Sequence, residues 1–476
     1  MKIYSSEVSG SLKVRGDIFA ENYIVKSTVS TITQSFSSGS TIFGDSGDDT
    51  HRFSGSLFIS GSSISLGDGN NNVVLGNNVT FSVGGATNFT AVGYQAAGGD
   101  TSTGIGGDQI TVVGAQAGKK MEQNPHRTSL FGAGAGAALN VGLDNTFLGA
   151  NAGNKITAAD RNVFVGSWAG YQTVDVDNAV IIGYQAGYSN MTSAADGTIA
   201  IGYQAGYNIT SGANNVAIGK SALPALSTGG ANLGIGDNAG STLQSGDFNH
   251  YIGMYSGFYQ QTGDKNIAIG YRSQQGVSSG NRNVSNNTSV GHNSLYNIVS
   301  NDSTAVGYQA GYYASGSNNT FVGSGAGQGG TTSAPFSSGA NNVAMGYQAL
   351  AGFTTGILNV AIGVNALDAV TTATRNVAVG SGAGGGTTSS GGVFIGNFAG
   401  SAANVDNVVL IGRDAGASVT GTGNIAIGYT ALGVHTTGGN NIAIGEGAMN
   451  DTNAGSTSLG SQHNIFMGLD VGGGTW

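Results

Sequence analysis

One short pattern of apolar and polar positions recurs through most of this chain. Asn215-Val216-Ala217-Ile218-Gly219 returns as Asn441-Ile442-Ala443-Ile444-Gly445. Aligned on the closing glycine, the pattern runs in 22 copies from Gly76 to Gly445, and a degenerate copy ends at Gly468. Of the 21 intervals, 11 are 17 residues and 5 are 16; the others run from 18 to 23. Positions are counted here from that glycine, at 0. Position −1 is large and apolar in every copy, and position −3 is usually β-branched, as at Val216, Thr320 and Ile425, with His250 an exception. Position +3 is Ala in 18 of the 21 copies from Gly93 onward, and Ser256, Ser273 and Ser294 fill the rest. Position −4 is Asn in 14 of 22 copies.

In a strand, positions −3 and −1 share a face. That face is expected inside the coil, with Ile182, Ile201, Ile218, Ile235, Ile252, Ile269, Ile362, Ile427 and Ile444 as core. Position −2 then points outward, and it carries no charge in any copy. It includes Ala217, Phe147, Phe164, Phe321, Phe394 and Leu410. An apolar stripe of that length needs covering, so these residues are expected at the interface of a homotrimer.

The period predicts an all-β fold: a parallel β-roll (β-solenoid) of about 22 short coils. Each coil has room for two strands of about five residues and two turns. A three-sided helix of six-residue repeats is excluded, because six beyond Ile218 stands Pro224 and six beyond Ile362 stands Asp368. A rise of about 4.8 Å per coil gives a rod on the order of 100 Å. The small residue at +3 implies close approach of two walls, and stacked Asn side chains at −4 can bond along the axis.

Residues 66–468 therefore form the rod, and 469–476 are a short tail. Residues 1–65 depart from the repeat, hold Lys2, Lys13, Arg15 and Lys26, and contain short strand-like runs such as Tyr23-Ile24-Val25. They are expected to be a small β-rich attachment and assembly segment.

Composition agrees with a repeat architecture. There are 86 Gly and 3 Pro in 476 residues, without the every-third-residue glycine of collagen. Hydrophobic residues make up 39%, too many for a disordered chain. A net charge of −9 without a basic stretch argues against nucleic acid. There is no cysteine, hence no disulfide, thiolate metal site or Cys nucleophile. No apolar run is long enough to cross a bilayer, and residues 1–10 lack the apolar core of a signal peptide.

Chemistry-bearing residues are scattered. Asp144, Asp237, Asp264 and Asp414 sit singly at turns, unlike the paired carboxylates of a depolymerase. His51, His126, His250, His292, His435 and His463 have no metal-ligand spacing. The runs Gly132-Ala133-Gly134-Ala135-Gly136 and Gly382-Ala383-Gly384 lack the strand–loop–helix context of phosphate loops. Arg15-Gly16-Asp17 is too short to identify an attachment site. Tyrosine follows the glycine at Tyr94, Tyr184, Tyr203, Tyr271, Tyr308, Tyr347 and Tyr429, and is read as ladders along the coils rather than a sugar platform. Receptor contacts are expected instead at the enlarged turns 98–108, 121–127, 278–286 and 329–340. An ice-binding solenoid would need a continuous Thr face, but Thr stands at −3 only at Thr90, Thr111, Thr146, Thr288, Thr304 and Thr320.

The Asn-Val-Ala-Ile-Gly-x-x-Ala unit resembles the head repeat of trimeric autotransporter adhesins, though most spacings here are longer. The resemblance implies parallel β-rolls packed as a trimer. That family also has a signal peptide and a membrane-anchoring β-barrel, neither of which is read here. The longer unit Asn342-Val343-Ala344-Met345-Gly346-Tyr347-Gln348-Ala349-Leu350 is similar to repeats in tail fibres and other virion appendages of marine bacteriophages. Gly10-Ser11-Leu12-Lys13-Val14-Arg15-Gly16-Asp17-Ile18 and Gly39-Ser40-Thr41-Ile42-Phe43-Gly44-Asp45-Ser46 look like the N-terminal parts of such fibres. This implies a non-enzymatic structural fibre protein of a phage virion, without cofactors. It would be a homotrimeric rod that spaces or presents host-surface binding. Its partners would be other virion proteins at the N-terminal end and a host glycan or protein, with no membrane insertion. A bacterial surface adhesin, in an extracellular location, is the alternative.

Overall fold

In a computed structural model the chain separates into two units, Met1–Ser65 and Leu66–Trp476. The structure describes residues 72–472 except 77–78, 80–85, 99–106, 122–124, 279–282, 334–335, 386–389, 435–436 and 451–460. The proposed attachment segment, Arg15-Gly16-Asp17, the two fibre-like opening segments, residues 473–476, His51, His435 and parts of the four enlarged turns lie outside the described residues.

The described residues form a parallel β-solenoid. Twenty-three strands, β1 (Val73–Leu75) to β23 (Ile465–Met467), make one continuous sheet. Each strand pairs in parallel with the next in the chain, like position over like. Ala217 in β9 (Val216–Ile218) lies between Ala200 and Gly234. The sole helical piece among the described residues is the 3₁₀ turn Ser193–Ala195.

Each coil contributes one strand of three or four residues, not the expected two of five. The opposite wall is built of turns. Positions +2 and +4 there adopt left-handed backbone, as at Gln204 (φ 52°) and Gly206 (φ 57°), which breaks a strand's pleat. That wall is still tied coil to coil by backbone hydrogen bonds: Gly136 N to Ala152 O, 2.9 Å, and Ala138 N to Asn154 O, 2.9 Å. The repeat glycine itself sits at φ near 130° (Gly219, 129°), and a Cβ there would lie 2.6 Å from Gly236 O. Only glycine permits both the conformation and that approach, which accounts for the unbroken column.

The inside and outside of the sheet are the reverse of the sequence reading. Ala217, Phe147, Phe164, Phe321, Phe394 and Leu410, expected at a trimer interface, are fully buried within the coil. Ile182, Ile201, Ile218, Ile235, Ile252 and Ile444, expected as core, are half-buried on the outer face. Ile269, Ile362 and Ile427 there are exposed. The physical reason is cross-section. Position −2 must fit between the sheet and the turn wall, so from Gly93 onward it is small in about half the coils and large only where the facing position is glycine. The outer face has no such limit and carries the bulky β-branched residues.

That trade holds from Gly93 onward. Val112, Leu130, Phe147, Phe164, Ile181, Tyr251, Phe321, Phe394, Leu410 and Phe466 at −2 all have glycine at +4. Where +4 is large, as at Leu223, Leu295, Leu350, Leu367, Leu432 and Met449, position −2 is Ala or Ser. The two positions share one volume at interior packing density. A further inward column at +7, not singled out from the sequence, supplies Leu139, Ile156, Ile209, Leu226, Leu243 and Val370, all fully buried.

Position −4 shares the inward face and forms an internal asparagine ladder. Asn232 Nδ2 donates to Asn215 Oδ1 (3.1 Å) and Gly246 O (2.8 Å), while its Oδ1 accepts from Asn249 N (3.0 Å) and Asn249 Nδ2 (3.1 Å). Each buried amide is thereby satisfied by its neighbours along the axis.

The apolar interior is interrupted once, between Ala268 and Val284, where two hydrophobic clusters part. Here Ser273, Ser289 and Ser294 form a buried hydroxyl triangle with Oγ separations of 2.7–3.1 Å. Gln260, Gln274 and Gln275 are buried beside it, each with an unpartnered Oε1.

Candidate functional site

The outer face of the sheet is the most extensive feature. It presents two parallel columns, −3 and −1, over all 23 strands. None of these positions holds Asp, Glu, Lys or Arg, and the −1 column is apolar throughout. Val306, Met345, Ile362, Val379 and Ile395 are among its exposed members. Because strand pairing is in register, the columns stay continuous from β1 to β23.

The ends of each strand are edged differently. Among the described residues position −5 has a left-handed backbone (φ about 50–62°) wherever it is not glycine, and it is mainly Asn, Asp, Arg or Gln. Its side chains pair along the axis: Arg127 with Asp144, Arg161 Nε with Asn178 Oδ1 (2.7 Å), and Asn286 Nδ2 with Asp302 Oδ1 (3.0 Å). At +1 stand the tyrosines. Tyr184 and Tyr203 stack at 5.8 Å with 15° between planes, and His292 lies between Tyr271 (4.9 Å) and Tyr308 (5.5 Å). On the turn wall Tyr188 stacks on Tyr207 at 5.0 Å and 4°, and Tyr296 on Tyr312 at 4.8 Å and 1°. Rings stacked along the axis cover one another's faces. At these stacked positions the arrangement suits a ladder.

The acidic residues have structural partners. Asp144 is ion-paired to Arg127, whose hydrogen bond holds its carboxyl below the usual range. Asp237 Oδ1 accepts from Asn238 Nδ2, Asp264 Oδ1 accepts from Asp247 N (2.8 Å), and Asp414 pairs with Arg413 at 3.2 Å. At position −6 an aspartate repeatedly caps the coil before it: Asp160, Asp177 and Asp196 take the backbone N–H groups of Leu143, Asp160 and Asp177. Asp108 accepts from Thr87 Oγ1 and N, which lowers its pKa. His126 Nδ1 accepts from Asp108 N at 3.1 Å, and His250 is exposed on the outer face between Leu233 and Ile267. Among the described residues no three His, Cys, Asp or Glu gather into a metal-binding group, and no helix is long and apolar enough to cross a membrane. The glycine runs at 132–136 and 382–384 are turns in the wall opposite the sheet, following strands but leading into no helix.

No protein-family model matches the sequence, and no curated protein matches it significantly.

Proposed function

We propose that this chain is a non-enzymatic structural fibre subunit of a phage virion appendage, working as a homotrimeric rod that spaces or presents host-surface binding. The observation that supports it is the uncharged, partly exposed outer face formed by positions −3 and −1. With 22 coil steps the face is about 105 Å long and roughly 10 Å wide, on the order of 1,000 Å² per copy. That exceeds the patch a soluble monomer ordinarily exposes and is enough for a stable interface. The best-matched cover is another copy, whose columns have the same length, period and lack of charge. The interface residues are therefore Ile218 and its column, not Ala217 and its column. The virion location rests on the resemblance of 342–350 to tail-fibre repeats, and residues 1–65 are assigned to docking on the particle.

Sedimentation equilibrium tests the assembly: a mass three times 47.2 kDa is expected, and a well-folded single-chain species overturns it. Deleting residues 1–65 is expected to leave assembled rods that no longer join particles. The second reading, a bacterial surface adhesin, draws on the Asn-Val-Ala-Ile-Gly-x-x-Ala repeat. An antibody to the coil stack that labels cells but not purified virions would favour it.

A further inference from the structure

Two uncharged columns, largely aliphatic over long stretches, do not by themselves fix where one copy sits along another. A slip of one coil, about 4.8 Å, exchanges apolar for apolar side chains in both columns from Val163 to Ile235 and from Val343 to Ile444, so register is weakly specified there. Something aperiodic on the same face must set it.

Two coils break the pattern in the same way. In the polar −5 column the large apolar residues are Phe248 and Leu358, 58% and 45% exposed. Both hold left-handed backbone, φ 60° and 59°, a conformation easy for the Asn residues commonest in the column and unfavourable for bulky apolar ones. Each also has an exposed aliphatic residue at +1 of its own coil: Met254 at 41% and Val364 at 47%. The strands between them are β11 (His250–Ile252) and β17 (Val360–Ile362). Two rows, Phe248–His250–Ile252–Met254 and Leu358–Val360–Ile362–Val364, thus form belts wider than the face elsewhere, six coils apart. Both neighbours of the first belt carry charge, Asp237 on one side and Lys265 on the other, and Arg375 lies beside the second.

We infer that these belts are register anchors: copies lie parallel with like coil on like coil, belt against belt. This rests on the proposal that the outer face packs against further copies. A one-coil slip would set Phe248 or Met254 against rows holding Lys265 or Asp237, burying a charge against an apolar side chain. An antiparallel pair can also superpose the belts, centred on β14 (Thr304–Val306), but it leaves β1 to β4 uncovered, whereas the parallel arrangement covers every strand.

The native chain has no cysteine, so introduced ones report cleanly. Chains carrying Ile218→Cys, Ile235→Cys or Ile395→Cys are mixed, refolded together and oxidised with copper–phenanthroline, and the disulfides are identified by peptide mass. Same-residue disulfides are expected to exceed the 218–235 pair about tenfold or more. The double variant Phe248→Asn, Leu358→Asn uses the column's own commonest residue and keeps its backbone. It is expected to raise the 218–235 pair to near parity without changing the assembled mass. Phe248→Leu with Leu358→Phe should retain the parent pattern. Parity in the parent, an unchanged pattern in the Asn variant, or a dominant 218–395 pair (the antiparallel arrangement) overturns the inference. A single-chain mass in the same samples would instead remove the trimer reading beneath it.

Discussion

Leu410 fills the space in which a Cβ on Gly416 would stand, 2.6 Å from Leu410 Cδ2. One coil further along, the arrangement is inverted, with Ala426 at −2 and Leu432 at +4, both fully buried. The coil accepts one large side chain from either wall and never both.

Gly416→Leu alone is therefore expected to overpack the coil, costing about 1–3 kcal/mol. Leu410→Ala alone leaves a cavity worth about 2–5 kcal/mol. Combined, they reproduce the Ala426/Leu432 arrangement and should lose much less than the sum. A double-mutant cycle on melting midpoints measures the coupling, and strict additivity would contradict the shared volume.

Ala217→Asp is expected to destabilise the coil stack by several kcal/mol, since it buries an unpaired charge in the interior. Ile218→Asp, on the outer face, should leave the circular dichroism melt of the dissociated chain nearly unchanged while abolishing self-association. Equal melts for the two variants would overturn the assignment of faces.

Asn232→Ala takes the side-chain partner from Gly246 O and Asn249 N, while Asn215 Oδ1 keeps the backbone N–H of residue 232. With about 1–3 kcal/mol for each buried group left unpaired, hydrogen exchange at the neighbouring coils should accelerate strongly. Exchange no faster than in the parent would show the ladder to be dispensable.

Gln274 stands at +4 opposite Ala268, a pairing that takes leucine at Leu223, Leu350, Leu367 and Leu432, and its Oε1 has no partner. Gln274→Leu is expected to stabilise the polar interruption by roughly 1 kcal/mol, the gain in buried apolar area exceeding the lost bond to Asn266. A lowered melting temperature would mean the amide is needed there.

Asp144 and Asp368 should titrate on opposite sides of the ordinary value of 3.8: Asp144 below it, through its hydrogen bond to Arg127, and Asp368 above it, through burial. The depressed group favours the folded state at pH above 3.8 and loses that contribution as pH falls through its folded pKa. The raised group does the reverse, disfavouring the fold once ionised and ceasing to do so as pH falls through its folded pKa. Carboxyl chemical shifts followed by NMR check both directions, and Arg127→Gln should bring Asp144 back toward 3.8.

The sequence by itself determined the solenoid. A glycine every 16 or 17 residues, with apolar positions at constant offsets, admits parallel stacking of like on like, because only that arrangement puts each glycine against the next. It also contained the signal for the inward face. Asn232 and Gly234 are two apart and so lie on one side of the strand, and a bonded asparagine ladder inside the coil requires its −2 neighbour inside as well. Hydrophobicity alone points the other way, because Ala217 and Ile218 are both apolar and burying the larger is favoured. What tertiary structure decided was width. The second wall is a run of left-handed turns held close to the sheet, so the interior between them has room for Ala217 with Leu223, or Phe147 with Gly153, and Ile218 is left facing out.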